Sequence, residues 1–159
     1  MFGLNQSGVN AYAKIGIETG VLAASPNKLT IMLYEGAISA CHSAETFMQN
    51  KDIANKGAML SKAISIIESG LRLSLDKKAG GEIAESLDAL YSYMSKRLMT
   101  ANIHNQPELI GEVIRLLTDL KGAWEAIDGV KKVTEDVSMT IPSQVAVAVN
   151  RNIAHYAKV

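Results

Sequence analysis

The sequence predicts an all-α protein, an antiparallel up-down four-helix bundle, from three observations. Apolar residues recur every three or four positions through four segments, each of about 20 residues. Short polar or glycine-containing turns separate these segments, so consecutive helices should pack as antiparallel neighbours. Alternation of apolar and polar residues, which marks half-buried strands, finds little support before residue 130.

The first helix is predicted from Pro26 to Gln49 and has more apolar surface than one packing seam needs. The Ser25 hydroxyl can accept from a free amide of the first turn, and proline suits the first helical position. The predicted packing face consists of Leu29, Leu33, Ala37, Ala40, Ala44 and Phe47. Ile31 and Ile38, seven residues apart, fall roughly on the opposite side.

The second helix, from about Ile53 to Leu75, shows a similar surplus. Its main stripe is Ile53, Leu60, Ile64, Ile67, Leu71 and Leu75, and its neighbouring stripe is Met59, Ile66 and Leu73. The segment Lys77–Gly81, with its two adjacent glycines, should then break the helix.

The third and fourth helices complete the predicted bundle. The third, from about Glu82 to Ala101, has one apolar face, formed by Ile83, Leu87, Leu90, Tyr91, Met94, Leu98 and Ala101. The fourth begins at Pro107, and its apolar face carries Leu109, Val113, Leu116, Leu117, Leu120 and Trp124. Ile110 and Ile114 lie off that seam, so the fourth helix also has surplus apolar surface.

We expect one domain over residues 1–159, with an N-terminal arm at 1–24, a four-helix core at 25–127 and a variable tail at 128–159. Pro142 should stop any helix that reaches it. Beyond it, a short fifth helix could present Val145, Val149, Ile153 and Tyr156 on one side. The run 145–149 could equally form a strand-like segment; the spacing slightly favours the helix.

Composition argues against several classes of function. Sixteen basic and sixteen acidic residues cancel, and no basic run offers the clustered positive field that nucleic acid requires. Cys41 is the only cysteine, which rules out an internal disulfide, and we expect it to be buried. No apolar run reaches the length of a membrane span, and the N-terminus lacks the pattern of a secretory signal. These observations predict a cytosolic protein without direct membrane insertion.

No constellation of residues predicts an enzyme. The histidines, His42, His104 and His155, lie on different elements and lack the spacing that puts two metal ligands on one helix face. Cys41 and His42 are adjacent, so on a helix their side chains diverge by about 100° and cannot act as nucleophile and base. We therefore predict no catalytic, cofactor-binding or metal-binding residues.

Residues 23–38, Ala-Ala-Ser-Pro-Asn-Lys-Leu-Thr-Ile-Met-Leu-Tyr-Glu-Gly-Ala-Ile, resemble the opening of the flagellar secretion chaperone family. The likeness continues through Ser61–Ile67 and Gly80–Ala84 to Ala123-Trp124. In the N-terminal arm, Asn10-Ala11-Tyr12 is similar as well. The order and spacing hold over about residues 9–126, which makes the resemblance specific.

The resemblance implies a cytosolic helical bundle that binds the disordered C-terminal segment of flagellin and prevents its premature polymerisation. It also implies delivery of flagellin to the flagellar type III export apparatus. The family's N-terminal tyrosine matches Tyr12, with Val9 at the neighbouring apolar position. That tyrosine is associated with covering the groove in the free protein and with hand-over to the export gate.

Surplus apolar stripes are what a partner helix in a groove would bury. The candidate client-groove residues are Ile31, Ile38, Met59, Ile66, Leu73, Ile110 and Ile114. Two other occupants of these stripes stay open, a fifth helix from the tail and a homodimer seam. The second would make the protein a self-associating structural bundle with no client.

Overall fold

The computed structural model describes residues 24–140 and the side-chain environments of residues 24–135. Within that range the chain forms helices and no strand. Helix α1 covers Pro26–Gln49; α2 covers Ile53–Ser65 and continues as a π-helical segment, Ile66–Arg72; α3 covers Lys77–His104; α4 covers Pro107–Thr140. The prediction of an all-α four-helix fold is confirmed.

The caps of α1 and α2 explain where these helices begin. The hydroxyl of Ser25 accepts from the Lys28 amide at 3.2 Å, and Pro26 occupies the first turn, as predicted. A tight turn follows Gln49, and the Asp52 carboxylate accepts from the Asn55 amide at 3.2 Å to start α2. Both caps satisfy amides that have no partner inside the helix.

Contacts between helices show that neighbours run antiparallel. Between α1 and α4, Lys121 Nζ lies 3.3 Å from a Glu35 carboxylate oxygen. Between α2 and α3, Lys56 pairs with Asn102 at one end and Arg72 with Asp88 at the other. Residue numbers rise along α2 as they fall along α3, which confirms the up-down arrangement.

The core consists of residues from all four helices. Its buried members are Tyr34, Ala37, Ala40, Cys41, Ala44, Leu60, Ala63, Ile67, Leu71, Tyr91, Met94, Leu98, Ala101, Leu109, Ile110, Val113 and Leu117. The three alanines of α1 let neighbouring helices approach closely. Cys41 is buried as predicted, and burial raises the pKa of its thiol to about 12, with a smaller contribution from the Glu45 carboxylate.

Several helix boundaries differ from those predicted: the second helix ends at Arg72 instead of about Leu75, and α3 ends at His104 instead of about Ala101. Helix α3 begins at Lys77 instead of about Glu82, because Asp76 caps one extra turn before the kink at Gly81. Helix α4 runs past the predicted core limit at residue 127 to Thr140. Its polar continuation contains no proline before Pro142, and Lys132 Nζ pairs with Asp128 at 3.4 Å one turn away. The predicted fifth helix after Ser143 lies outside the described residues.

Candidate functional site

An apolar groove lies at the end of the bundle where α1 and α3 begin, and we call it the end groove. It has a volume of about 680 Å³. Its apolar lining comes from the first turns of α1, the end of the π-helical segment, the first turns of α3 and one position on α4. The principal side chains are Leu29, Leu33, Leu71, Leu75, Ile83, Leu87, Tyr91 and Trp124.

The walls of the end groove keep apolar surface in contact with water. Leu33, Leu87 and Trp124 are half-buried, and each packs on one side against the core. Ile83 is 73% exposed on the opposite rim. Because so much apolar area remains uncovered at one place, the end groove has the character of a binding surface.

The π-helical segment sets the position of the α1 wall. Gly70 lies so close to α1 that a Cβ atom there would come within 3.0 Å of Leu33 Cδ2. Gly36 of α1 makes a similar close approach to the π-helical segment, since a Cβ atom there would lie 3.4 Å from Ile66 Cδ1. Glycine at position 70 therefore lets α1 and α2 approach closely with Leu33 between them. π-Helical turns are rare and frequently occur at functional sites.

The rim formed by α3 depends on a kink. Asp76 accepts hydrogen bonds from the Lys78 and Ala79 amides at 3.0 Å and starts one helical turn. Gly81 then adopts φ 50° and ψ −129°, a conformation that side chains strongly disfavour. The main part of α3 follows, so the kink decides that Ile83 points outward while Ala84 is buried.

A buried pair of tyrosines lies at the base of the end groove. The hydroxyls of Tyr34 on α1 and Tyr91 on α3 hydrogen-bond to each other across the bundle. Burial raises the pKa of both phenols, and for Tyr34 the hydrogen bond with Tyr91 and, less strongly, one with Trp124 partly offset this rise. Both groups therefore stay neutral, and the pair joins α1 to α3 beneath the groove.

One buried polar atom beside the groove has no hydrogen-bond partner among the described residues. Within residues 24–140, the side-chain amide nitrogen of Asn27 is buried and has no hydrogen-bond partner. Asn27 lines the end groove beside Leu29. A buried donor without a partner is unusual in a folded protein.

The seven predicted client-groove residues do not line the end groove. Ile31 and Ile110 are buried in the core, so the prediction that they lie outside the packing seam is wrong. Ile110 belongs to the core cluster together with Val113, so the α4 face that carries it is directed at the other helices. Ile31 is 3% exposed.

The other predicted residues keep some access to water. Half-buried positions that pack against the core are Ile38, Met59, Ile66 and Ile114. Leu73 is highly exposed in the turn between α2 and α3, next to the groove-lining Ser74 and Leu75. The arm residues Val9 and Tyr12 lie outside the described residues.

Sequence reasoning assigned the groove-lining leucines and Trp124 to the core. Leu33 and Trp124 do pack against the core, whereas Leu29, one turn before Leu33, lines the groove beyond it. The Gly80-Gly81 pair is the sequence feature that could have indicated the groove, because a helix break at the start of α3 opens the end of a bundle.

Among the helices described, none is long and apolar enough to cross a membrane. The same range holds no group of three or more histidine, cysteine or acidic side chains arranged to bind a metal ion.

The fold and the end groove define the class of the molecule, a four-helix bundle with an open apolar groove at one end. The model of the family described as flagellar protein FliS matches residues 8–131. The chain therefore belongs to the FliS family of flagellar secretion chaperones, which are chaperones and not enzymes.

Relatives from distant bacteria agree with this assignment. The flagellar secretion chaperone FliS of Salmonella typhimurium is 46% identical over 121 residues, covering 76% of this chain and 90% of the relative. FliS of Escherichia coli is 46% identical over 118 residues, covering 74% and 87%. FliS of Bacillus subtilis is 34% identical over 128 residues, covering 80% and 91%.

A crystal structure of a flagellar chaperone from bacteria has the same fold. It superimposes with a TM-score of 0.61 at 22% sequence identity, covering 76% of this chain and 96% of that one.

Proposed function

We propose that this chain is a cytosolic export chaperone that binds the disordered C-terminal segment of flagellin. It prevents premature polymerisation and delivers flagellin to the flagellar type III export apparatus. Membership of the flagellar secretion chaperone family supports the export role. The observation that supports a client-binding site most directly is the end groove, with its uncovered apolar walls.

A disordered client requires the binding site to offer enough apolar contact to offset the cost of ordering it. A disordered segment that folds on binding loses about 2–5 kcal/mol of the gross interaction energy in ordering. Apolar contacts must offset that cost, and a helix can supply them by placing residues at i, i+3, i+4 and i+7 into one groove. The volume of the end groove, about 680 Å³, accommodates several side chains of such a helix.

Leu73 extends the proposed client surface beyond the end groove, since it stands exposed beside Leu75. The half-buried Ile38, Met59, Ile66 and Ile114 remain proposed contacts for other parts of a client that wraps around the bundle.

A calorimetric titration with a peptide spanning the C-terminal disordered region of flagellin tests the client. We expect saturable one-to-one binding with a negative change in heat capacity, because apolar surface is buried. Absence of heat at several temperatures, with an intact helical spectrum, would count against the client. A stable dimer by light scattering would then favour the self-associating bundle.

Helix α3 offers a matched pair of variants that tests the site. Ile83 lies on the groove rim, and Ile103 lies near the other end of the same helix, about 30 Å away; each is 73% exposed. Burial of an isoleucine side chain is worth about 1.5–3 kcal/mol, so Ile83→Ala should weaken peptide binding by about 10- to 140-fold if the whole side chain is buried in the complex. Ile103→Ala should leave affinity unchanged, and equal losses in both variants would reject the end groove as the site.

The N-terminal arm is proposed to act in the delivery of flagellin to the export gate. Val9 and Tyr12 cover the client site in the free protein and then contact a component of the export gate. Tyr12→Ala should therefore reduce flagellin export in a secretion assay more than it reduces peptide affinity in the titration. Parallel loss of export and affinity would contradict a separate role in delivery.

A further inference from the structure

The extension of α4 beyond the bundle carries an exposed apolar face, the α4 stripe, formed by Ile127, Val130 and Val133. These side chains are 48%, 58% and 63% exposed, respectively. At 100° per residue they span about 120° of the helix surface, which is the width of a face that normally packs against another element. Asp128 and Lys132 pair with each other on the other side of the helix.

The α4 stripe lies where the match to the family ends, with Ile127 and Val130 inside the matched range and Val133 just beyond it. The match to the family ends at residue 131, whereas α4 continues to Thr140. An amphipathic helix of this kind is stabilised mainly by packing of its apolar face. A partner for the stripe is therefore expected within this chain's own additional residues or in a second molecule.

We propose that the C-terminal segment, residues 143–157, folds back as a helix and packs antiparallel on the α4 stripe. The chain outside the described residues begins directly after Thr140, with Pro142 at the position where a turn is needed. Fifteen residues of helix span about 22 Å, enough to return along α4 to the level of Ile127.

The two sequences match in register. A turn at 141–142 places Val149 opposite Val133, Ile153 opposite Val130 and Tyr156 opposite Ile127. Each member of the exposed stripe thus meets one apolar residue of the segment.

Charge favours the same pairing. Between residues 125 and 136, α4 carries four acidic and two basic residues, whereas residues 141–159 contain Arg151 and Lys158 and no acidic residue. Opposite net charges favour packing of the segment along α4, whereas a second α4 would bring two acidic helices together.

Disulfide cross-linking in the full chain tests the pairing. The double variant Val130→Cys with Ile153→Cys should form an intramolecular disulfide under mild oxidation. Lys132→Cys with Ile153→Cys is the matched control and should not, since position 132 faces away from the stripe. The native Cys41 is buried and should not interfere. Covalent dimers would overturn the proposal in favour of a second copy, and equal or absent cross-linking in both variants would also overturn it.

Hydrogen exchange in single variants gives an independent test that introduces no cysteine. Ile153→Asp places a charge on the apolar side of the segment, and Ala154→Asp places the same charge on its other side. Amides of α4 between 127 and 135 should exchange at least tenfold faster in Ile153→Asp and within twofold of the native rate in Ala154→Asp. Equal rates in the two variants would overturn the proposal. Client binding at the end groove does not depend on either result.

Discussion

Lys56 offers the sharpest test of how the bundle is held together at the end opposite the groove. It is only 3% exposed, although lysine is rarely buried. Its ammonium group donates to the Asn102 carbonyl oxygen at 3.0 Å and to Asn105 Oδ1 at 2.6 Å. These acceptors stand at the end of α3, where Asn105 adopts the left-handed conformation that ends the helix. One side chain of α2 thus caps α3.

Replacing Lys56 with methionine keeps the length of the side chain and removes both hydrogen bonds. Bonds of this charged type contribute about 1.5–3 kcal/mol each. Part of that is regained, because the ammonium group no longer has to be desolvated. We expect a net loss of about 2 kcal/mol in the free energy of unfolding, equivalent to a fall in Tm of about 4–8 °C.

Urea unfolding followed by circular dichroism measures this loss. Lys62→Met is the control, because Lys62 is an exposed lysine of the same helix, and its replacement should change stability by less than about 0.5 kcal/mol. If Lys56→Met proved as stable as Lys62→Met, the ammonium group would contribute no net stability and the reasoning would fail.

Two further predictions concern pH. The pKa of the Cys41 thiol is raised to about 12, so its contribution to stability is complete below about pH 8.5 and is lost as pH rises. Between pH 8.5 and 10 the free energy of unfolding of the native chain should fall by about 1–2 kcal/mol, and that of Cys41→Ala should not show this fall. Urea unfolding at each pH measures the difference. Hydrogen bonds from Ser95 to Glu68 and from Arg72 to Asp88 lower the pKa of these carboxyl groups, so their contribution is present above about pH 4 and is lost as pH falls. In Arg72→Gln the free energy of unfolding should fall less steeply as pH is lowered below about 4. An unchanged dependence on pH would show that the partly exposed ion pairs contribute nothing measurable.

The positions of the helices were predictable because the signals are local. The start of α1 at Pro26 and the start of α4 at Pro107 both coincide with the predicted residues. Capping and the fixed φ of proline act within one turn, so neighbouring residues suffice to identify them. The likeness to flagellar secretion chaperones was also readable, since it rests on motif order along the chain.

The functional surface was not predictable in the same way. α1 carries two apolar stripes, and sequence reasoning assigned Leu33 to the core and Ile31 to a client surface. In the structure Ile31 is buried and Leu33 stands at the end groove. Periodicity shows that two faces exist, but the direction that each one takes depends on three other helices.

Sequence alone determined the helical class, the first cap, the starts of α1 and α4 and the family of this chain, because each depends on residues close together or on their order. Tertiary structure decided which stripe became core, where the groove opened and why a lysine is buried. Those outcomes depend on contacts between residues far apart in sequence: Gly70 against Leu33, Tyr34 with Tyr91, and Lys56 with Asn105. Such contacts exist only after the helices have packed.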